Sequence, residues 1–95
     1  MSSLRYGDYV IAYDVSDDRE RSAVDKILIG YGFRVQKSVF TCNLSRGERE
    51  RLLAALRATE LTTGHIMVWR LQANAQRTDI GTPPTLPEDQ YAFIV

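Results

Sequence analysis

The chain has 95 residues, 44% of them hydrophobic and 25% charged, as in one small globular domain. Its 12 basic and 12 acidic residues give zero net charge, which excludes a protein that binds nucleic acid through a uniformly positive surface. No apolar run suits a bilayer span or a signal peptide, and the single cysteine, Cys42, has no partner for an internal disulfide. We therefore predict a cytoplasmic protein that does not bind membranes.

The first predicted element is a strand from Asp8 to Asp14, preceded by a loose leader over residues 1–7. Its residues are mainly aromatic and β-branched, which favours a strand covered on at least one face. The strand ends on Asp14, so a carboxylate stands at the carboxyl end, where ligands collect in many α/β proteins. The alternative is that Asp14 is an ordinary turn or capping residue.

The second predicted element is a helix that begins at Asp17 or Asp18 and runs to about Tyr31. Apolar side chains recur at the spacing of one helical face, and Gly30 and Gly32 provide the stop. This stripe consists of Val24, Ile27, Leu28 and Tyr31. A strand followed directly by a helix and then by more strand is typical of a βαβ unit.

Residues 33–44 are predicted to be extended, because their apolar and polar side chains alternate with a period of two. Propensity alone predicts one long strand, since no Gly, Pro or Asn-Gly pair marks a hairpin turn. The alternative is a tight turn near residues 37–39, which would divide the segment into two short strands.

The next predicted element is a helix from Ser45 to about Thr59, which begins with the capping box that Ser45 and Glu48 form. Its buried stripe consists of Leu52, Leu53 and Leu56, with Ala55 beside them. The polar face is rich in arginine, and it is either a solvated surface or a surface that contacts DNA. Its basic residues are Arg46, Arg49, Arg51 and Arg57.

The last strand before a long loop is predicted over residues 65–72, after a break at Gly64. Ile66, Val68 and Arg70 fall on one side of it, and Met67, Trp69 and Leu71 on the other. His65 has no partner at metal-ligand spacing, so we interpret it as structural. Cys42 is interpreted as a half-buried strand residue.

Residues 73–90 are polar, contain three prolines and are predicted to be a linker. Residues 91–95, YAFIV, are again typical of a strand. Such a tether allows this strand to pair with a neighbouring copy of the chain.

The whole chain, residues 1–95, is thus predicted to be a single α+β domain. The order of elements indicates the ferredoxin-like βαββαβ plan with an extra C-terminal strand. In that plan both helices cover one face of an antiparallel sheet, and the other face is free for a second subunit, as in a homodimer.

Two segments carry a resemblance to a known family. The run YDVSDDRER ends the first strand and opens the first helix, and RVQKSVF follows in the extended segment. Together they resemble the small CRISPR-associated nuclease of spacer acquisition. The resemblance covers roughly residues 8–72, and the tethered final strand is a further match.

The resemblance implies a homodimer in which Asp14 faces its twin across the two-fold axis. This pair would bind a divalent cation, usually Mg²⁺, and act as the catalytic metal site for phosphodiester cleavage. Arg19, Arg21, Arg34 and Phe40 would bind nucleic acid, and Tyr13 and Ser16 would support them. The implied partners are DNA or RNA and the larger CRISPR integrase subunit.

The chemistry agrees with these implications. Two close carboxylates repel unless a cation or proton lies between them, and Mg²⁺ prefers such hard oxygen ligands. Arginine side chains suit phosphate, and Phe40 would either stack on a base or lie in the core. Two other functions remain as alternatives: a non-catalytic DNA-binding scaffold of the integration complex, and an unrelated ferredoxin-like regulatory module.

Overall fold

A computed structural model describes residues 5–85. It contains four strands and two helices: β1 (Tyr6–Asp14), α1 (Asp18–Ile29), β2 (Phe33–Gln36), β3 (Val39–Ser45), α2 (Arg46–Arg57) and β4 (His65–Arg70). Neither helix has the length and apolar character that a membrane crossing requires. The strand predicted over residues 91–95 and the end of the predicted linker lie outside the described residues.

The four strands form one antiparallel sheet in the order β2-β3-β1-β4. Each helix connects two strands that are not neighbours, which is the split βαβ arrangement of the ferredoxin-like plan. The predicted fold class is therefore confirmed. β1 lies in the interior of the sheet and β4 forms one edge, so the end of β1 is flanked by strands on both sides.

The first strand begins at Tyr6 rather than at Asp8, so the prediction of a loose leader was wrong for residues 6 and 7, and residues 1–4 lie outside the described residues. Tyr6 pairs with Ser45 and Gly7 with Leu44, which extends the β1–β3 ladder by these residues. Local propensity could not predict this extension, because glycine is a poor strand former and its pairing is decided by the partner strand.

The extended segment divides into two strands joined by a tight turn at Lys37 and Ser38. The backbone N–H of Tyr13 donates to the Ser38 carbonyl at 3.1 Å, which attaches this turn to the end of β1. An irregularity between Arg34 and Gln36 interrupts the β2–β3 register. Of the two alternatives left open by the sequence, the structure therefore has the hairpin.

Both helices begin at the predicted caps. The Asp17 carboxylate accepts from the Glu20 N–H at 2.9 Å, and Ser45 and Glu48 form the reciprocal capping box. The helices end at Ile29 and Arg57, slightly before the predicted residues. For α1 the reason is that the Gly30 N–H already bonds to carbonyls of the last turn as the C-cap.

The core lies between the helices and one face of the sheet. Alternate residues of β1, namely Tyr9, Ile11 and Tyr13, are buried there with the helix residues Val24, Leu28, Leu52 and Leu56. Cys42 is fully buried on this face, deeper than predicted. The other residues of the two predicted apolar helix stripes lie at the border of this core and are only partly buried: Ile27, Tyr31, Leu53 and Ala55.

The other face of the sheet, which we call the open face, carries no helix. Val10 of β1 is paired with Trp69 and Ala12 with Met67, so these side chains share that face. Trp69 is 46% exposed and Met67 45% exposed. Residues 77–84, which form no helix or strand, lie beside the β2–β3 side of this face. A broad apolar surface thus remains uncovered in one copy of the chain.

Candidate active site

Asp14 is the last residue of β1, and its side chain is exposed. It has the same strand parity as Val10 and Ala12, so it belongs to the open face. A shallow cavity of about 250 Å³ lies at this end of the strand. Its lining consists of Tyr13, Asp14, Val15, Arg21, Lys37 and Ser38. The predicted catalytic carboxylate therefore has room for a ligand beside it.

The backbone of Asp14 is held by the turn that precedes β4. Asp14 pairs with His65 in the β1–β4 ladder. The preceding residue, Gly64, has φ 97° and lies so close that a Cβ on it would be 1.7 Å from the Asp14 carbonyl oxygen. Only glycine fits this position, so the turn fixes the backbone from which the carboxylate projects.

Arg21 fastens the loop that follows Asp14. Its Nη1 donates to the Val15 carbonyl at 2.8 Å and to the Ser16 carbonyl at 3.3 Å. Its Nη2 forms a salt bridge with Asp18. The guanidinium is thus used to shape the loop, and Ser16 takes part through its backbone. Arg21 and Ser16 lie where the sequence placed them, next to Asp14.

Arg34 joins a second cluster beneath the hairpin turn. Its Nη2 lies 3.4 Å from the Asp25 carboxylate, and its Nη1 donates to the Lys37 carbonyl. The Tyr13 hydroxyl donates to the same Asp25 carboxylate. This network links α1, β1 and the β2–β3 turn on the helix side of Asp14.

Tyr13 stays protonated at any physiological pH. Burial first, and then the hydrogen bond to Asp25 and the negative charge of Asp25, together raise the pKa of its hydroxyl to about 12. Tyr13 is consequently a hydrogen-bond donor that positions Asp25, and it is not a general base. Its role in supporting nucleic-acid binding stays a prediction.

Phe40 does not have the surface that base stacking requires. Its side chain is fully buried, and its ring lies 4.9 Å from the Arg34 guanidinium carbon and 6.3 Å from the Tyr13 ring. A ring with no exposed face offers no platform to a base, so the prediction of stacking by Phe40 was wrong. The core role that the sequence left open is the correct one, because Phe40 points toward the helices.

Arg19 projects from the first turn of α1 and is exposed. Within residues 5–85 its side chain forms no hydrogen bond or ion pair. Of the three arginines predicted at this site, it is the one whose guanidinium is not already engaged by this chain, since Arg21 and Arg34 hold backbone carbonyls.

The donor set of one copy is too small for a complete metal site. Among residues 5–85, no group of three or more His, Cys, Asp and Glu side chains converges. Mg²⁺ is bound in many proteins by one or two carboxylates and several waters. A single exposed Asp14 therefore fits Mg²⁺ only as part of a water-rich site, completed by a second carboxylate.

Two neighbours of the site were missed in the sequence. His65 lies directly across from Asp14, and Asp25 connects Tyr13 to Arg34. Both depend on strand register and helix rotation, which single-sequence patterns do not give. The one available signal was the position of His65 at the start of a strand, opposite the end of β1 in the predicted plan.

Comparison with known proteins agrees with the fold and the motifs. Residues 8–79 match the family model described as CRISPR associated protein Cas2. A relative from Mycobacterium tuberculosis (strain CDC 1551 / Oshkosh), named CRISPR-associated endoribonuclease Cas2, is 30% identical over 84 residues, which cover 88% of this chain and 74% of the relative.

Solved structures show the same architecture. The hypothetical protein TT1823 from Thermus thermophilus is 30% identical, with a TM-score of 0.77 over 86% of this chain and 99% of that one. A chain of a partial Cas6-RT-Cas1–Cas2 complex is 27% identical, with a TM-score of 0.58 over 72% of this chain and 81% of that one. The shared architecture extends across most of each chain.

Proposed function

The chain belongs to the Cas2 family of CRISPR-associated proteins, and from that membership we propose that it is a magnesium-dependent endonuclease of spacer acquisition. The observation that carries this proposal is the exposed Asp14 carboxylate at the open-face end of β1. The name of the M. tuberculosis relative supports nuclease activity. We also propose a cytoplasmic location, which is consistent with membership of this family.

The proposal requires a homodimer, because one copy supplies one exposed carboxylate at the site. The open face has the apolar surface that such an interface needs, including Trp69 and Met67. Covering this face with a second copy, with the two β1 ends near the symmetry axis, brings two Asp14 carboxylates together. A divalent cation between the two carboxylates would relieve their mutual repulsion, so the pair favours binding of such a cation.

The mechanism divides the work between the cation and the side chains. Held by the Asp14 carboxylates, Mg²⁺ would supply Lewis-acid chemistry: it would polarise the phosphodiester and lower the pKa of a bound water. Asp14 of each copy would hold the cation. Arg19 is placed to bind a phosphate oxygen of the substrate, and Arg21 positions the loop between Asp14 and Arg19. Tyr13 keeps Asp25 and Arg34 in place beneath the site.

A scaffold role without cleavage is the second candidate. It is favoured by the small donor set, because residues 5–85 of one copy contain no group of three metal-ligating side chains. The similarity to a chain of a Cas1–Cas2 complex supports an integrase subunit as partner in either case, and both candidates propose DNA or RNA as the ligand. Family membership removes the third alternative, an unrelated regulatory module.

The test is Asp14→Asn, compared with wild type on labelled RNA and DNA, with Mg²⁺ or with EDTA. We expect the variant to lose cleavage by about 10²-fold or more, because the amide cannot replace the charge that holds the cation. Asp8→Asn is the matched control, since Asp8 lies on the same face at the other end of β1. If Asp14→Asn cleaves as well as both Asp8→Asn and wild type, the result would favour the scaffold role.

A further inference from the structure

The β1–β4 ladder ends on a carboxylate and an imidazole that are directly opposed. Asp14, the last residue of β1, is paired with His65, the first residue of β4. Opposed residues of an antiparallel pair project from the same face of the sheet, with Cβ atoms about 4.5–5.5 Å apart. Ala12 and Met67 form the next pair on that face. His65 has no second metal-ligating residue near it in the sequence, but the register of the sheet supplies one.

The carboxylate and the imidazole are both available to a ligand. Asp14 and His65 are exposed, and within residues 5–85 neither side chain forms a hydrogen bond or an ion pair. The other carboxylates close to the site are already engaged, because Asp18 and Asp25 each form a salt bridge with an arginine. In the described part of the chain, Asp14 and His65 are therefore a metal-ligating pair that no other side chain occupies.

The backbone on which this pair stands is held in place. Glu20 of α1 accepts hydrogen bonds from the backbone N–H and hydroxyl groups of Thr62 and Thr63, at 2.6 to 3.0 Å. These threonines precede Gly64, whose Cα lies against the Asp14 carbonyl. Ligands that project from fixed strand ends keep their geometry without help from a bound ion, and such a first shell is what a metal site needs.

We propose that His65 is a metal ligand beside Asp14, so that each copy of the chain offers one imidazole nitrogen and one carboxylate to the cation of the proposed nuclease site. This assignment rests on the proposed function and adds to it a ligand and a metal preference. One copy alone brings fewer than three metal-ligating side chains together among residues 5–85. A second copy related by the two-fold axis would complete a set of two carboxylates and two imidazoles.

The imidazole changes which cation the site prefers. Mg²⁺ takes oxygen ligands and gives up its waters reluctantly, whereas imidazole nitrogen is a ligand that first-row transition metals accept readily. A mixed set of nitrogen and oxygen therefore favours a transition-metal cation over Mg²⁺. Mn²⁺ binds most weakly in that series, so a preference for Mn²⁺ over Mg²⁺ is the most demanding form of this expectation.

The first test uses the fact that His65 is the only histidine of the chain. The untagged protein is produced with ¹⁵N-labelled histidine, loaded with Mn²⁺ and measured by electron spin-echo envelope modulation. We expect coupling of the Mn²⁺ electron spin to ¹⁵N in the wild type and its loss in His65→Gln. Bound Mn²⁺ without coupling to histidine nitrogen in the wild type would overturn the proposal, because no other residue carries the label.

The second test is the affinity for Mn²⁺ and for Mg²⁺, measured by titration calorimetry. We expect His65→Gln to lose Mn²⁺ affinity by about tenfold or more and to keep Mg²⁺ affinity within about threefold. Asp8→Asn is the matched control, since Asp8 lies on the same face at the other end of β1 and its affinities should equal those of wild type. Thermal unfolding and sedimentation of each variant check that fold and oligomeric state are retained.

Equal losses of Mn²⁺ and Mg²⁺ affinity in His65→Gln would show a general disturbance of the site and would contradict the role of the imidazole. His65 also borders a groove of about 480 Å³ between α2 and β4. An imidazole that turns toward this groove would leave both affinities unchanged, which likewise overturns the proposal.

Asp14→Asn separates this proposal from the proposed function. If Mn²⁺ binding is lost in Asp14→Asn but shows no coupling to histidine nitrogen in the wild type, the metal site stands and His65 is not part of it. If the wild type binds neither cation, or if Asp14→Asn binds both as well as wild type does, the proposed metal-dependent nuclease fails and the role of His65 fails with it.

Discussion

Glu20 shows how one side chain can fix the loop beside a functional site. Its carboxylate accepts hydrogen bonds from the backbone N–H and hydroxyl groups of Thr62 and Thr63, at 2.6 to 3.0 Å. These bonds lower the pKa of Glu20 to about 2. Thr62 and Thr63 directly precede Gly64, so Glu20 connects α1 to the turn that holds the Asp14 backbone.

The low pKa of Glu20 predicts a specific acid sensitivity. The pKa of this carboxyl group falls from about 4.3 in the unfolded chain to about 2 on folding, so its contribution to stability is fully present at neutral pH. This stabilisation is lost as the pH falls from about 5 to about 2. We expect Glu20→Gln to lower the melting temperature at pH 7, and the difference from wild type to shrink toward pH 2.

Melting curves at several pH values measure this effect. Glu50→Gln is the control, because Glu50 is exposed and has only a distant ion pair with Arg46. A Glu20→Gln deficit that stays constant from pH 7 to pH 2 would show that the charge of Glu20 is not what stabilises the turn.

For single residues, the sequence predicted where a residue lies along its strand or helix better than it predicted which other side chain that residue contacts. The strand that ends on Asp14 follows from local pattern and is confirmed. The resemblance, and not the pattern, indicated Tyr13, Ser16 and Arg21 as residues of the site, and Tyr13 and Arg21 line the same cavity as Asp14. Phe40 and Asp25 could not be assigned in this way. Whether Phe40 faces the helices, and which carboxylate reaches Tyr13, depends on strand register and helix rotation, which are set by packing across the whole domain.

At the scale of elements, the turn before β4 is the most constrained connection. Gly64 and Gly81 have nearly equal positive φ values, 97° and 95°. A Cβ at residue 64 would collide with the Asp14 carbonyl, whereas none of the described atoms lies within 4 Å of a Cβ at residue 81. Substitutions at the two glycines therefore separate the cost of a positive φ from the cost of a steric clash.

We expect Gly64→Ala to destabilise the protein by about 2–4 kcal/mol, since strain at positive φ and the displacement of Asp14 add together. Gly81→Ala is expected to cost about 1 kcal/mol or less, because its loop can relax. Urea unfolding gives both values. Similar losses in the two variants would mean that the contact with Asp14 is relieved at little cost. Gly64→Ala is also expected to reduce cleavage.

The elements differed in how well the sequence defined them. The helices have local stop and start signals, so the caps at Asp17 and Ser45 were predicted correctly. The β2–β3 hairpin has none, because its turn is made of Lys37 and Ser38 without Gly or Asn. It forms because the turn bonds to β1 and because each strand finds a partner in the sheet, and both causes are long-range.

At the scale of the whole molecule, the open face predicts the oligomeric state. We expect Trp69→Glu to weaken the homodimer by about 10²-fold or more, since a charge would replace a large apolar side chain at the proposed interface. Sedimentation equilibrium measures this change. Ile29→Glu is the matched control, because Ile29 is 63% exposed but lies on α1, on the opposite side of the sheet.

A dimer that persists in Trp69→Glu, or that dissociates equally in Ile29→Glu, would place the interface elsewhere. In that case the two Asp14 carboxylates would lack the arrangement that cleavage requires. The fold class was predictable at this scale because the order of elements alone restricts the ways in which four strands and two helices can form a covered sheet.

The position of β1 within the sheet has a consequence for biosynthesis. Among the described strands β1 is translated first, yet its two partners, β3 and β4, are translated later, and β4 ends only at Arg70. β3 can pair with β1 once Ser45 has been made, but the other side of β1 stays unpaired until β4 is complete. Of the described strands β4 is made last, so one edge of this apolar strand stays available for wrong pairings during most of synthesis.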